Sequence, residues 1–66
     1  MVYDYKIKFK DAEKDDMCIN KCLELNISES PNTLVFRSAE VDASGDFPMV
    51  AVVPIDSIKY VTSTKL

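Results

Sequence analysis

Cys18 and Cys22 are the only thiols of a 66-residue chain that has no histidine. A C-x3-C spacing without a second pair leaves zinc short of its four ligands, unless two copies of the chain share one ion. If both thiols lie on one strand, four residues span about 13 Å, beyond disulfide reach. Redox chemistry favours C-x2-C at a helix start, which is missing. Both thiols are therefore expected to be buried or half-buried packing groups. Asp11, Glu13, Asp15 and Asp16 alternate in the manner of a calcium loop. Yet no glycine stands at the sharp turn, and Cys22 occupies the position that needs a bidentate Glu. The run reads as a solvated loop, or as acidic contacts for a basic partner.

Lys6, Lys8 and Lys10 form a basic row on one strand face, about 7 Å apart. Such a row can track phosphates, with Lys21, Arg37 or Lys59 joining it. No aromatic residue is expected to interleave on that face, so a stacking platform for bases is not expected. The chain carries 11 acidic and 8 basic residues, a net charge of −3. The row is thus expected to be a solvated face that blunts a sheet edge, and nucleic acid an unfavoured partner. Tyr3 and Tyr5 have two uses: lining a peptide groove, or packing the core beside Ile7 and Phe9. The core use is expected, because so small a domain needs their area. No carboxylate pair, Gly-rich phosphate loop or nucleophile elbow is present. Neither enzyme activity nor a cofactor is expected.

The elements that must hold these residues are short strands. Tyr3, Tyr5, Ile7 and Phe9 alternate with Asp4, Lys6, Lys8 and Lys10, the mark of a half-buried strand. Residues 11–16 read as a loop. Met17, Ile19, Leu23, Leu25 and Ile27 recur with period two, broken at Lys21. They predict a strand near 22–28 with an extended arm over 17–20, against an alternative short helix over 12–22. Ser28 to Asn32 signals a turn. Thr33 to Val41 predicts a strand with Leu34, Phe36 and Val41 inward. Asp42 to Asp46 predicts a hairpin loop with Gly45 at positive φ. Phe47 to Val53 is nearly all apolar, so both of its faces are expected to be covered, and part of Met49–Ile55 or a neighbouring strand is expected to lie in a self-interface. Pro54 stops that strand. Ile55 to Ile58 fits a 3-10 turn, and Lys59 to Thr64 a last strand. The class is all-β, a single small domain over 1–66, with five short strands in a partly open barrel. There is no secretory signal and no apolar run of membrane-spanning length. The starting Met favours a complete small reading frame, expected in the cytoplasm with reduced thiols.

The pattern resembles the Src-homology-3 family over most of the chain. Val2-Tyr3-Asp4-Tyr5 is similar to the end of that family's Ala-Leu-Tyr-Asp-Tyr strand. Lys14 to Met17 resembles the acidic tip of its long first loop, and Leu23 to Ile27 its second strand. Val53-Pro54 and Ile55 to Ile58 resemble its aliphatic-Pro step and 3-10 turn. The resemblance implies a five-stranded SH3-like barrel that binds Pro-rich peptides. It implies groove roles for Tyr3, Tyr5 and Pro54, and a ligand-pairing role for Asp16, with Asp15 beside it. The family's groove Trp is replaced by Thr33 or Leu34, its 3-10-turn Tyr by Ser57, and the aromatic two before the Pro by Val52. The function expected from residues and resemblance together is a protein-interaction module. Such a chain serves as an adaptor, an assembly subunit or an inhibitor of a larger protein, as small phage or mobile-element proteins do. The alternative is a nucleic-acid-binding barrel that uses Lys6, Lys8 and Lys10.

Overall fold

The computed structural model describes residues 1–25 and 31–66. Its elements are β1 (Tyr3–Phe9), β2 (Met17–Cys22), β3 (Thr33–Arg37), β4 (Met49–Pro54), a 3-10 turn (Ile55–Ser57) and β5 (Ile58–Lys65). They form two antiparallel sheets, one ordered β2-β1-β5 and one β3-β4. The chain is all-β among the described residues.

β1 is the central strand because its alternation gives it one apolar face. Tyr5, Ile7 and Phe9 are 6%, 0% and 4% exposed, while Lys6 stays in water. β5 runs antiparallel along the whole of β1, from Tyr3 opposite Lys65 to Phe9 opposite Ile58. The inward residues of β1 meet Leu34 and Phe36 of β3, Val53 of β4, and Cys22, in one core. Tyr5 and Phe36 pack edge to face, with ring centroids 5.2 Å apart, a favoured aromatic geometry.

The second strand differs from expectation. Met17–Cys22 is the strand, and residues 23–25 have no regular structure. The alternative helix over 12–22 does not form. The rest of the expected strand, and most of the turn expected over 28–32, lie outside the described residues. The reason is a bulge. Tyr3 lies opposite Cys22, but Tyr5 lies opposite Ile19, so Asn20 and Lys21 together face Asp4. Lys21 takes φ +54°, a left-handed conformation costly for a side chain with a Cβ. Its amide is held by the Asp4 carboxylate at 3.0 Å. The extra residue flips the alternation, so Cys22 points inward and is fully buried. Cys18, before the bulge, is exposed, not packed as expected.

The bulge also turns the chain from one sheet to the other. Cys22 pairs with Tyr3 on one side and bridges to Ser38 on the other. Leu23 donates to the Arg37 carbonyl and Ala39 to the Lys21 carbonyl, each at 2.9 Å. The radius of gyration is 12.1 Å, against about 10.8 Å for a compact domain of this length. The sheets are thus hydrogen-bonded to each other at a corner, and their inner faces meet in the one core.

The third strand ends at Arg37, short of Val41, which is 57% exposed, not inward. The loop that follows matches its sequence signal. Gly45 has φ +87°, and Asp42 Oδ1 accepts from the Ser44 and Asp46 amides at 2.9 and 3.1 Å. The Ser44 hydroxyl donates to the same oxygen. These donors hold the Asp42 carboxyl below its ordinary value, Ser44 foremost. β4 begins at Met49, and only its inner face is covered. Val53 is 4% exposed and Ala51 half-buried, whereas Val50 and Val52 remain about half exposed. Pro54 ends the ladder as expected, and the 3-10 turn follows at once.

Two outcomes test this packing. Ile7→Ala is expected to cost about 2–5 kcal/mol, comparable with the whole stability of a domain this small, and so to leave it largely unfolded by circular dichroism. Lys21→Gly is expected to hold or raise the urea midpoint, because glycine relieves about 1–2 kcal/mol of left-handed strain against a smaller entropic cost. Lys21→Val is expected to lower it. The opposite ranking would contradict the bulge.

Candidate interaction surface

Tyr3 and Tyr5 do two different jobs on one face. Tyr5 is a core residue whose hydroxyl stays polar-paired. It donates to the Leu23 carbonyl at 3.2 Å and accepts from the Leu25 amide at 2.8 Å. Those two bonds fasten residues 23–25 over the end of β1. Tyr3 is half-buried, and its ring lies 6.0 Å from that of Tyr5 at a 31° tilt. Beside them is an open groove of about 420 Å³ lined by Tyr3, Tyr5, Glu24, Leu25, Val61 and Ser63. β5 supplies one wall, since Tyr5 lies opposite Ser63 and Ile7 opposite Val61. The segment held by the Tyr5 hydroxyl supplies the other. The groove is apolar at its tyrosines and acidic at Glu24.

The other expected contact residues lie elsewhere. Asp16 sits 3.7 Å from the Lys6 ammonium and 3.5 Å from that of Lys8. It is therefore tied to the lysine row on the outer face of β1, not to the groove. Asp15 is exposed in the loop before β2, and Pro54 is exposed at the end of β4. Neither lines the groove. Lys14 leaves the acidic loop to lie over the Phe9 ring, 4.7 Å from its centroid, a cation–π contact.

The lysine face also differs from its sequence reading. Lys8 lies opposite Tyr60, which is 51% exposed. Residues directly opposite share a face, so an aromatic ring does stand beside this row. Lys6 lies opposite Cys18 and Thr62. Lys10, at the strand's end, is exposed and donates its amide to the Ser57 carbonyl at 3.0 Å. One carboxylate serving two lysines lowers the net charge of the face.

Glu24, Leu25, Val61, Ser63 and Tyr60 escaped the sequence reading. Val61, Ser63 and Tyr60 owe their positions to the pairing of β1 with β5, two strands at opposite ends of the chain, and Glu24 and Leu25 to the Tyr5 hydroxyl bonds. No local signal carries that register. Among the described residues no three Cys, Asp or Glu side chains gather as metal ligands. No helix there is long and apolar enough to cross a membrane. The chain matches no family model, no curated protein and no solved structure.

Burial pushes the Tyr5 phenol above its ordinary value of 10.0, against the lowering effect of the Leu25 amide. Burial also pushes the Cys22 thiol above 9.0, helped by Asp4. Both groups thus stay protonated longer in the folded chain than in the unfolded one. Stability is full below those ordinary values and falls as pH rises past about 9 and then 10. Tyr5→Phe removes the later part of that fall. It also breaks both hydroxyl bonds, and leaves the Leu25 amide without this acceptor, for a cost of about 1–3 kcal/mol at neutral pH. Urea unfolding from pH 7 to 11 checks both statements.

Proposed function

We propose that this chain is a non-enzymatic protein-interaction module on an SH3-like, partly open five-strand barrel. The observation that carries the functional reading is the groove beside Tyr3. It combines a half-buried ring held at a fixed tilt against a buried one, an aliphatic wall and a single carboxylate. The Tyr3 ring, backed by the buried Tyr5, gives contact area at low entropy cost, and one charged group fixes orientation. The ligand that suits it is an extended peptide segment with apolar side chains and one basic residue for Glu24.

Three features support the fold assignment. The order β5-β1-β2 continues through the Cys22–Ser38 bridge into β3-β4. The 3-10 turn directly precedes the last strand. Val53-Pro54 stands just before that turn. The groove differs from the family's peptide platform because its second wall is Glu24 and Leu25, with no Trp in the chain. Fold kinship is therefore separate from ligand identity.

A second reading has one observation in its favour. Tyr60 beside Lys8 gives the basic face a ring on which a base can stack. Pairing of Asp16 with Lys6 and Lys8 works against it.

The test is capture from the host lysate by tagged chain, with Tyr3→Ala, Glu24→Lys and Lys8→Glu compared at low and high salt. The module reading expects one protein that survives high salt and is lost with Tyr3→Ala and Glu24→Lys, while Lys8→Glu still retains it. Glu24 is exposed, so its variant should melt like the parent, within about 0.5 kcal/mol. Nucleic acid that is lost with Lys8→Glu and at high salt would replace this reading with the second.

A further inference from the structure

Exposed apolar area is concentrated on one hairpin. Of the ten large apolar side chains left exposed among the described residues, Val41, Phe47, Met49, Val50, Val52 and Ile55 belong to β4 and its flanks. Two of the other four are the terminal Met1 and Leu66. From Phe47 to Ile55 no residue is charged, in a chain whose charged share is 29%. Among the described residues β4 is also the last strand of its sheet, paired with β3 alone. Sheet edges are commonly guarded by Lys or by inward charges. β4 has neither.

The hydrogen-bond pattern says which backbone groups that edge offers. The Ile55 amide donates to the Asn32 carbonyl at 3.0 Å. In an antiparallel ladder the bonded pairs alternate. Leu34 with Val53 is then a bonded pair, and Val35 with Val52 is not. The Val52 N–H and C=O therefore point away from β3, to the open edge. Two devices trim that edge. Val50 is an extra residue between Ala51, opposite Phe36, and Met49, opposite Arg37. Pro54 has no N–H to give. Both leave Val52 as the centre of the usable stretch.

We propose that β4 pairs antiparallel with β4 of a second copy, Val52 lying opposite the partner's Val52 across a two-fold axis. Each Val52 then donates its N–H to the other's carbonyl, and an isologous contact of this kind closes on itself. On the outer face the row Val35, Val52 becomes continuous with the same row of the partner. Val35 is already 7% exposed and Val52 is 52% exposed, so the contact covers the uncovered half. A second copy suits this strand because an uncharged segment meets itself without like-charge repulsion. Stable interfaces begin near 600 Å² per copy, roughly an eighth of the 4695 Å² surface. A short ladder needs Phe47 and Met49 to reach that area, so self-association in the micromolar range is expected.

Sedimentation velocity of the full chain from micromolar to millimolar concentration tests this, with Val52→Lys and Val52→Glu. The parent is expected to pass from monomer to dimer. Each variant alone is expected to stay monomeric at every concentration, and an equimolar mixture of the two to form dimers again, since opposite charges then face each other. Val52 is half exposed, so both variants should keep the parent's circular dichroism. As a check free of mutation, amide exchange at Val52 in the parent chain should slow as concentration rises. A parent that stays monomeric at millimolar concentration, a Val52→Lys chain that dimerises like the parent, or Val52 exchange independent of concentration would each overturn the proposal.

Discussion

The corner at Lys21 to Leu23 is the constraint on which the rest of the molecule depends. One backbone segment there serves two sheets. The Lys21 carbonyl accepts from Ala39 and the Leu23 amide donates to Arg37, while Cys22 still pairs with Tyr3. A left-handed lysine is an unfavourable way to make such a corner. It persists because the Asp4 carboxylate takes its amide and because Cys22 is delivered to the centre of the core. Tyr5 completes the arrangement from below, its ring against Phe36 and its hydroxyl on residues 23 and 25.

A sandwich pinned at one corner has two exposed consequences. At one end the three-stranded sheet runs past the cover of the other, which leaves the groove beside Tyr3. On the far side β4 ends the two-stranded sheet with an uncharged edge. Both features follow from size. A chain of 66 residues cannot cover both faces of five strands, and a small domain buries only about 60% of its unfolded surface. The charged outer face of β1 meets water directly, whereas the outer face of β4 has only apolar atoms to present.

What could be read from the sequence was whatever depended on near neighbours. The alternation of Tyr3 to Phe9 gave β1 its face. Gly45 and Asp42 marked their loop, and Pro54 the end of β4. The second strand was misplaced because period two assumes an unbroken pleat. One inserted residue reverses the face, and lysine is not a residue that announces a left-handed position. Cys22, read as one of two equivalent thiols, proved to be the buried one for the same reason. The alternation that points Val41 inward holds only if the strand runs on through Ser38, where the chain instead bridges to Cys22. Of the expected contact residues, Tyr3 and Tyr5 share the groove and Asp16 does not. The acidic loop returns to the outer face, where Lys6 and Lys8 attract it. Of the remaining groove walls, Val61 and Ser63 depend on a β1–β5 register that no local pattern encodes, and Glu24 and Leu25 on the Tyr5 hydroxyl bonds.

Native-state hydrogen exchange tests the central claim, that the corner fuses two sheets into one cooperative unit. The amides of Ile7 in β1, of Leu23 and Ala39 at the corner, and of Phe36 and Val53 in the second sheet are the reporters. The account predicts that all five exchange only through global unfolding, with one shared free energy and one shared denaturant slope. A distinctly lower free energy for Phe36 and Val53, with Ile7 still protected, would contradict it. The β3-β4 hairpin would then open by itself, and the corner would be a contact, not a joint.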